Sequence, residues 1–328
     1  MEAKYYIKKE IKGNEFVQCK LCPKFCVIKK DEKGFCGVRK NIDNKLISLV
    51  YGKAAAVNID PIEKKPLYHF LPGEKVFSFG TVGCNLNCTF CQNWEISQPS
   101  SVWGKELSPE MIIDLCKQNK CEIVAATYNE PTIFFEYMLD VFKLSKKNKM
   151  YNVVVSNGFI NEEPLKELIK YTDAFNIDLK SFDDDFYKNL TKSNLKNVLN
   201  TLKLIKESGK WLEITTLIIP GYNDDEKQLN QLCKWIKDNL GKNVPLHFSA
   251  FYPMHKLNDV PATSKEILYK AKKIAKDNEI KYVYLGNIAE EQITSCCDED
   301  LIKRDIYSVT KKENKCKKCN EKIHGVFM

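Results

Sequence analysis

Three cysteines stand within eight residues of the run GCNLNCTFCQN, at Cys84, Cys88 and Cys91. Thiolates are soft ligands that suit iron, and a Cys-x3-Cys-x2-Cys loop can wrap one corner of a cubane iron–sulfur cluster. Three thiolates fill three irons and leave the fourth open to a small molecule. A four-thiolate cluster is confined mainly to electron transfer. A zinc site completed by a distant fourth ligand is the competing use. The polar strand ends described below make the open cluster the stronger reading.

Two further cysteine groups flank this loop. Cys19, Cys22, Cys26 and Cys36 supply four thiolates, complete for zinc or for a second, closed cluster, and their spacing leaves both open. Cys316 and Cys319 form an ordinary ribbon half, but Cys296 and Cys297 are adjacent, and adjacent residues rarely reach one tetrahedral ion together. That predicts a degraded zinc ribbon over Cys297, Cys316 and Cys319, completed by a substitute such as His324 or left without metal. Cys116, Cys121 and Cys233 lie singly in apolar or helical contexts and read as buried small hydrophobes.

Fourteen cysteines without a secretion-type leader, and no apolar run of about 18 residues, predict a cytoplasmic protein that uses thiols for metal or redox chemistry. The composition, 44% hydrophobic and 29% charged, is that of a folded chain. A net charge of +8 arises from 51 basic and 43 acidic residues spread along helices. Solvated helix faces explain that better than a nucleic-acid site.

The elements that must position these residues alternate. Short apolar or β-branched runs, KVFSFG (75–80), IVAATY (123–128), NVVVSN (152–157), AFNIDLK (174–180), LEITTLII (212–219), PLHFSAF (245–251) and KYVYLGN (281–287), read as parallel strands covered on both faces. Amphipathic stretches between them read as helices: one starting at Ser108-Pro109-Glu110, others near 133–149, 162–172, 193–208, 225–240 and 263–278. This rhythm predicts an α/β fold, a full or partial (β/α) TIM-like barrel, with an open sheet as the alternative. Polar residues recur at the strand ends, where either architecture builds its site. The expected divisions are a cysteine-rich module at 1–40, a connector packed on the barrel at 41–74, the barrel at 75–290 and a ribbon-like module at 291–328.

The triplet loop resembles the signature of the radical S-adenosylmethionine (radical SAM) superfamily, and CQN followed by WEIS is similar to glycyl-radical (pyruvate formate-lyase) activating enzymes. CKLCPKFC (19–26), GFCGVR (34–39), DPIEKKPLYHFLPG (60–73), YNEPT (128–132), IIPGYND (218–224) and HFSAFYP (247–253) extend a resemblance to AmmeMemoRadiSam-system radical SAM proteins over nearly the whole chain. The resemblance implies a [4Fe–4S] cluster on Cys84, Cys88 and Cys91 whose open iron chelates S-adenosylmethionine. One electron from a low-potential donor such as ferredoxin or flavodoxin then cleaves the cofactor to methionine and a 5′-deoxyadenosyl radical, under anaerobic conditions. It also implies functional company with Memo-like and AMMECR1-like proteins.

Residue by residue, the resemblance places Phe90 near the adenine and Glu130 at the methionine ammonium, with Asn129 beside it. A helix-start carboxylate is the bland alternative for Glu130. Ser156 and Asn157 could hydrogen-bond the cofactor. Asn176, Asp178 and Lys180 alternate along one strand, so they share a face and need polar partners; an Asp178–Lys180 ion pair is the competing account. His69, His247 and Tyr252 are weighed as cavity-lining residues against satisfied core positions, and Asn287 as an adenine-side contact. The resulting expectation is a radical SAM enzyme that activates or modifies a protein partner. A radical enzyme for a small molecule and a non-catalytic metal-binding interaction protein are the alternatives.

Overall fold

A computed structural model describes residues 1–11 and 13–327. Its centre is an eight-stranded sheet in which Lys75–Gly80, Ile123–Ala126, Tyr151–Ser156, Ala174–Asp178, Trp211–Ile218, Leu246–Ala250 and Val283–Gly286 lie side by side in chain order. All of these neighbours pair in parallel. The Ile123–Ala126 strand is buried at every position, the signature of a strand covered on both faces. The ladder runs from Val283–Gly286 at one edge to Ala56–Pro61 at the other, and among the described residues these edges do not pair.

The Ala56–Pro61 strand was not legible in the sequence. It pairs antiparallel with Lys75–Gly80 from within what reads as a connector. Prolines and charges around it obscure a strand that needs only one partner, since an edge tolerates both.

Helix starts follow local chemistry. Ser108 accepts the amide of Met111 ahead of Pro109–Gln118, and Ser264 accepts that of Ile267 ahead of Lys265–Asp277. Thr263, just before that cap, accepts from the Phe251 amide and donates to the Ile218 carbonyl. The remaining helices, Phe135–Lys147, Glu162–Ile169, Leu195–Glu207 and Glu226–Leu240, alternate with the strands as their periodicity predicts. Among the described residues no helix is long and apolar enough to cross a membrane.

Two small β-modules flank the sheet. The first contains the antiparallel strands Tyr6–Ile11, Asn14–Cys19 and Val27–Lys29, and the pair Arg39–Ile42 and Lys45–Ser48. It docks through the buried Arg39 onto Glu136 of the Phe135–Lys147 helix. The second is the antiparallel sheet Gln292–Cys296, Glu299–Asp305 and Ser308–Lys312. It shares a small core of Tyr68, Tyr282, Tyr284, Leu301 and Ile302 with the main sheet and connector.

Beneath that sheet lies a buried polar network. Glu213 accepts the backbone amides of Tyr68 and His69 at 3.0 and 2.8 Å and the Trp211 indole at 3.0 Å, and pairs with His247 at 2.7 Å. His69 Nδ1 faces the His324 carbonyl at 2.7 Å, so that nitrogen carries the proton and Nε2 accepts from the Tyr284 hydroxyl at 2.5 Å. Burial holds the His69 pKa down at about 4, with the Glu213 carboxylate only partly offsetting it.

Between the unfolded value near 6.5 and this value, the unfolded chain takes a proton that the folded chain refuses. Stability from His69 is therefore complete above about pH 6.5 and lost on acidification toward pH 4, on the order of 3 kcal/mol in all. Denaturant midpoints measured from pH 7 to 4.5 should fall, and His69→Gln should flatten part of that slope. A slope unchanged by the substitution would contradict the assignment.

Candidate functional site

The loop that carries Cys84, Cys88 and Cys91 leaves the Lys75–Gly80 strand and folds across the sheet's carboxyl ends. Gly83 makes the first turn with φ +97°, a conformation that favours glycine. The loop is then held by amides of Asn87 and Thr89 bonded to the carbonyls of Thr191 and Leu190 at 3.1 and 3.0 Å. Asn85 turns inward, donating to the Phe159 carbonyl at 2.7 Å and accepting from Asn157 Nδ2 at 2.9 Å. Asn93 closes the loop on the Tyr128 carbonyl at 2.7 Å.

A cavity of about 270 Å³ opens beside it, and all three triplet cysteines line it. Phe90 shares their wall. Asn129 and Asn157 come from two successive strand ends, and Asp178 and Lys180 from the next. Lys180 Nζ lies 2.8 Å from Asp178 Oδ2. Burial opposes the Lys180 charge, but Asp178 and the Cys88 sulfur outweigh it and hold its pKa above the ordinary lysine value. The ion pair and the cavity-facing position coexist.

Glu130 is placed differently from its neighbours. It is fully buried and does not line the cavity. Its Oε1 accepts the Thr132 amide, the Thr132 hydroxyl and the Ser156 hydroxyl at 2.9, 2.6 and 2.8 Å, and its Oε2 accepts the Asn157 amide at 2.8 Å. Burial raises its pKa against the pull of these donors. Glu130 and Ser156 thus brace the Asn157 turn from behind. Asn176 also sits one layer down, donating to the Pro66 carbonyl at 2.8 Å and accepting from Thr215 at 2.9 Å.

The histidines weighed as cavity residues lie in the Glu213 network under the sheet, away from the triplet. Tyr252 is about half exposed and donates to the Asn287 carbonyl at 2.8 Å, while Asn287 itself reaches the cavity. The residues missed were Thr215, Ser249 and Asn85. Hydroxyls inside the apolar runs LEITTLII and PLHFSAF were the available signal for the first two.

The residues fit a cluster with one open position. Three thiols face one cavity, and burial pushes the Cys88 thiol up to about 12 and Cys84 well above its usual value, so a bound cation is needed to ionise them. Asn129 Oδ1 is buried with no hydrogen-bond partner among the described residues, although its amide group donates to the Gly83 carbonyl at 2.7 Å. That oxygen is packed against Gly80, where a Cβ would lie 3.1 Å from it, so Asn129 presents the rest of its side chain to the cavity.

The C-terminal cysteines form a tighter set than their spacing suggested. Cys296, Cys297, Cys316 and Cys319 have all four sulfurs within 4.8 Å of one another. The adjacent pair reaches one site because Cys297 adopts φ +50° at the tip between Gln292–Cys296 and Glu299–Asp305, which turns its side chain toward its neighbour's. His324 is no substitute ligand: its ring packs on Trp211 at 5.0 Å.

With this site in view, the comparisons are consistent. The model of the radical SAM superfamily matches residues 79–233, which include the triplet, YNEPT and FNIDLK but neither flanking cysteine group. The chain is 43% identical over 99% of its length to an uncharacterised protein of Methanocaldococcus jannaschii, covering 99% of that protein. It is 27% identical over 60% of its length to the pyruvate formate-lyase-activating enzyme of Clostridium pasteurianum, covering 87% of it. The fold is similar to a radical SAM methyltransferase of Sphaerobacter thermophilus, with TM-score 0.54 and 13% identity over 67% of this chain and 68% of that one. It is also similar to Streptococcus suis SuiB bound to S-adenosylmethionine, with TM-score 0.51 and 15% identity over 68% of this chain and 52% of that one. The chain belongs to the radical SAM superfamily.

Proposed function

We propose that this protein is an enzyme that binds a [4Fe–4S] cluster through Cys84, Cys88 and Cys91 and cleaves S-adenosylmethionine reductively at the open iron. The observation that carries the reading is the count of cysteines at the cavity: three, sharing it with an Asp178–Lys180 pair. When bound, the cluster and cofactor together supply a 5′-deoxyadenosyl radical. The chain's own residues bind, orient and shield.

Asn129 and Asn157 form the wall that receives the cofactor's methionine end, and Glu130 acts from behind it by fixing the Ser156–Asn157 turn. Lys180 meets the carboxylate or a ribose oxygen, and Asp178 keeps that lysine charged and aimed. Phe90, packed on Phe186 at 5.6 Å, offers its ring to the adenine. Asn176 acts a layer below, holding the Pro66 and Thr215 walls.

The preferred substrate is a protein partner. Trp94 and Tyr252 stay exposed beside Asn93 and Asn287, which line the cavity, so the mouth is rimmed by aromatic surface that a macromolecule could cover. The activating enzymes similar to this chain favour the same reading, as does the resemblance to AmmeMemoRadiSam proteins with their Memo-like and AMMECR1-like companions. A ferredoxin or flavodoxin as donor, and a cytoplasmic, anaerobic setting, belong to the same proposal. The test is anaerobic reconstitution followed by dithionite and S-adenosylmethionine. 5′-Deoxyadenosine is expected, and its absence from iron-loaded protein would sink the reading.

We also propose that Cys296, Cys297, Cys316 and Cys319 hold one zinc ion. Their mutual spacing suits a tetrahedral thiolate site, whose sulfurs stand about 3.8 Å apart at normal Zn–S lengths. Cys316→Ala should lower the zinc content of purified protein by about one equivalent. Unchanged zinc would argue that the site is vacant or the ion elsewhere.

A further inference from the structure

We infer that Cys19, Cys22, Cys26 and Cys36 hold a second, closed iron–sulfur cluster that passes single electrons to the Cys84 loop. The relay direction rests on the radical SAM reading above; the metal assignment does not.

The four cysteines wall one cavity together with Leu21, Ile28 and Ile133, and the cationic Lys24 and Arg39 join the lining. Cys26 already has a backbone N–H aimed at its sulfur, that of Phe35 at 3.4 Å. Cys19 is buried and Cys22, Cys26 and Cys36 half-buried in this wall, and thiolates gathered so closely need a metal to balance them.

The spacing separates one ion from several. Around a single tetrahedral zinc the sulfurs must close to about 3.8 Å of one another. The C-terminal four meet that condition, with all sulfurs within 4.8 Å. Among the described residues, no three of the N-terminal sulfurs form such a tight set. One wall of thiols around a shared cavity, wider than one ion can bridge, is what a cluster with an inorganic core requires.

The two iron sites are then neighbours. Gly83, the residue before Cys84, lies so close to Cys36 that a Cβ there would fall 2.7 Å from the Cys36 carbonyl oxygen. Asn85, the residue after Cys84, lines the N-terminal cavity. Zinc cannot change oxidation state, whereas a cluster here can accept one electron from a low-potential carrier protein, which is oxidised. It then reduces the Cys84 cluster by the same electron, and no bond forms or breaks.

The experiment uses the full chain with Cys84→Ala, Cys88→Ala and Cys91→Ala combined, reconstituted anaerobically with iron and sulfide. About four irons and four sulfides per chain are expected to remain, half the wild-type content, with an electron paramagnetic signal after dithionite. Zinc without sulfide in this variant would overturn the assignment. Should the variant not fold, dithionite-reduced wild type decides: two spin-coupled clusters support the inference, and one isolated four-iron signal refutes it. The relay is read from Cys22→Ser. Its 5′-deoxyadenosine formation should persist with dithionite but fall at least about tenfold with reduced flavodoxin; an equal rate with both donors would refute the relay. Wild type with both clusters but no cofactor cleavage would instead refute the radical reading alone.

Discussion

Cys84→Ala should bring 5′-deoxyadenosine formation down to the protein-free background. The site has only three thiols at its cavity, so removing one leaves an iron of the cluster without a protein ligand. The loss should be chemical and not structural. Cys84 contributes a single sulfur to the loop's packing, and the loop's own anchors, Asn85 to Phe159 and Asn93 to Tyr128, remain. The cost in stability should be about 1 kcal/mol, set by a small deletion at a partly exposed position. Cys116→Ala is the matched control: Cys116 is wholly buried in the apolar core, so it should cost stability and leave cofactor cleavage intact. Cleavage that survives Cys84→Ala would place the reaction elsewhere.

Arg39→Ala should cost about 3–5 kcal/mol, the largest stability effect expected of any single side chain here. Arg39 is 2% exposed and its Nη2 donates to both oxygens of Glu136 at 2.8 and 2.6 Å. Its Nε also donates to the Ile133 carbonyl at 3.3 Å. Truncation leaves the Glu136 carboxylate buried with only the Lys4 amide, at 2.8 Å, to compensate it. The penalty is the stranded charge, so Arg39→Met combined with Glu136→Leu should recover most of it. Urea unfolding of the three proteins measures this. A double variant no more stable than Arg39→Ala would mean that the pair does more than neutralise itself. Because Arg39 pins the N-terminal module onto the Phe135–Lys147 helix, iron bound at Cys19–Cys36 should be lost at lower urea than iron at the triplet.

What the sequence by itself determined is local or periodic. The triplet's spacing, the seven parallel strands, the helix start at Ser108, and the clustering of Asn129, Asn157, Asp178 and Lys180 at strand ends are all properties of neighbouring residues. A strand's face repeats every second residue and a cap acts within one turn, so short stretches suffice to read them.

Only the tertiary structure decided which polar residues reach the cavity. Glu130 proved to be wholly buried behind the cavity wall, bound by Thr132, Ser156 and Asn157, while Asn129 and Asn157 line the cavity itself. His69 and His247 became core residues because Glu213 and Tyr284 lie beside them in space, far away in the chain. Cys296 joined Cys297, Cys316 and Cys319 through a turn whose positive φ no spacing rule anticipates. In each case the deciding partner lies across the fold, and a buried polar group's role is set by who satisfies it. GCNLNCTFCQN announced its chemistry through spacing, whereas the second set of thiols beside it became a neighbour only when Gly83 met Cys36.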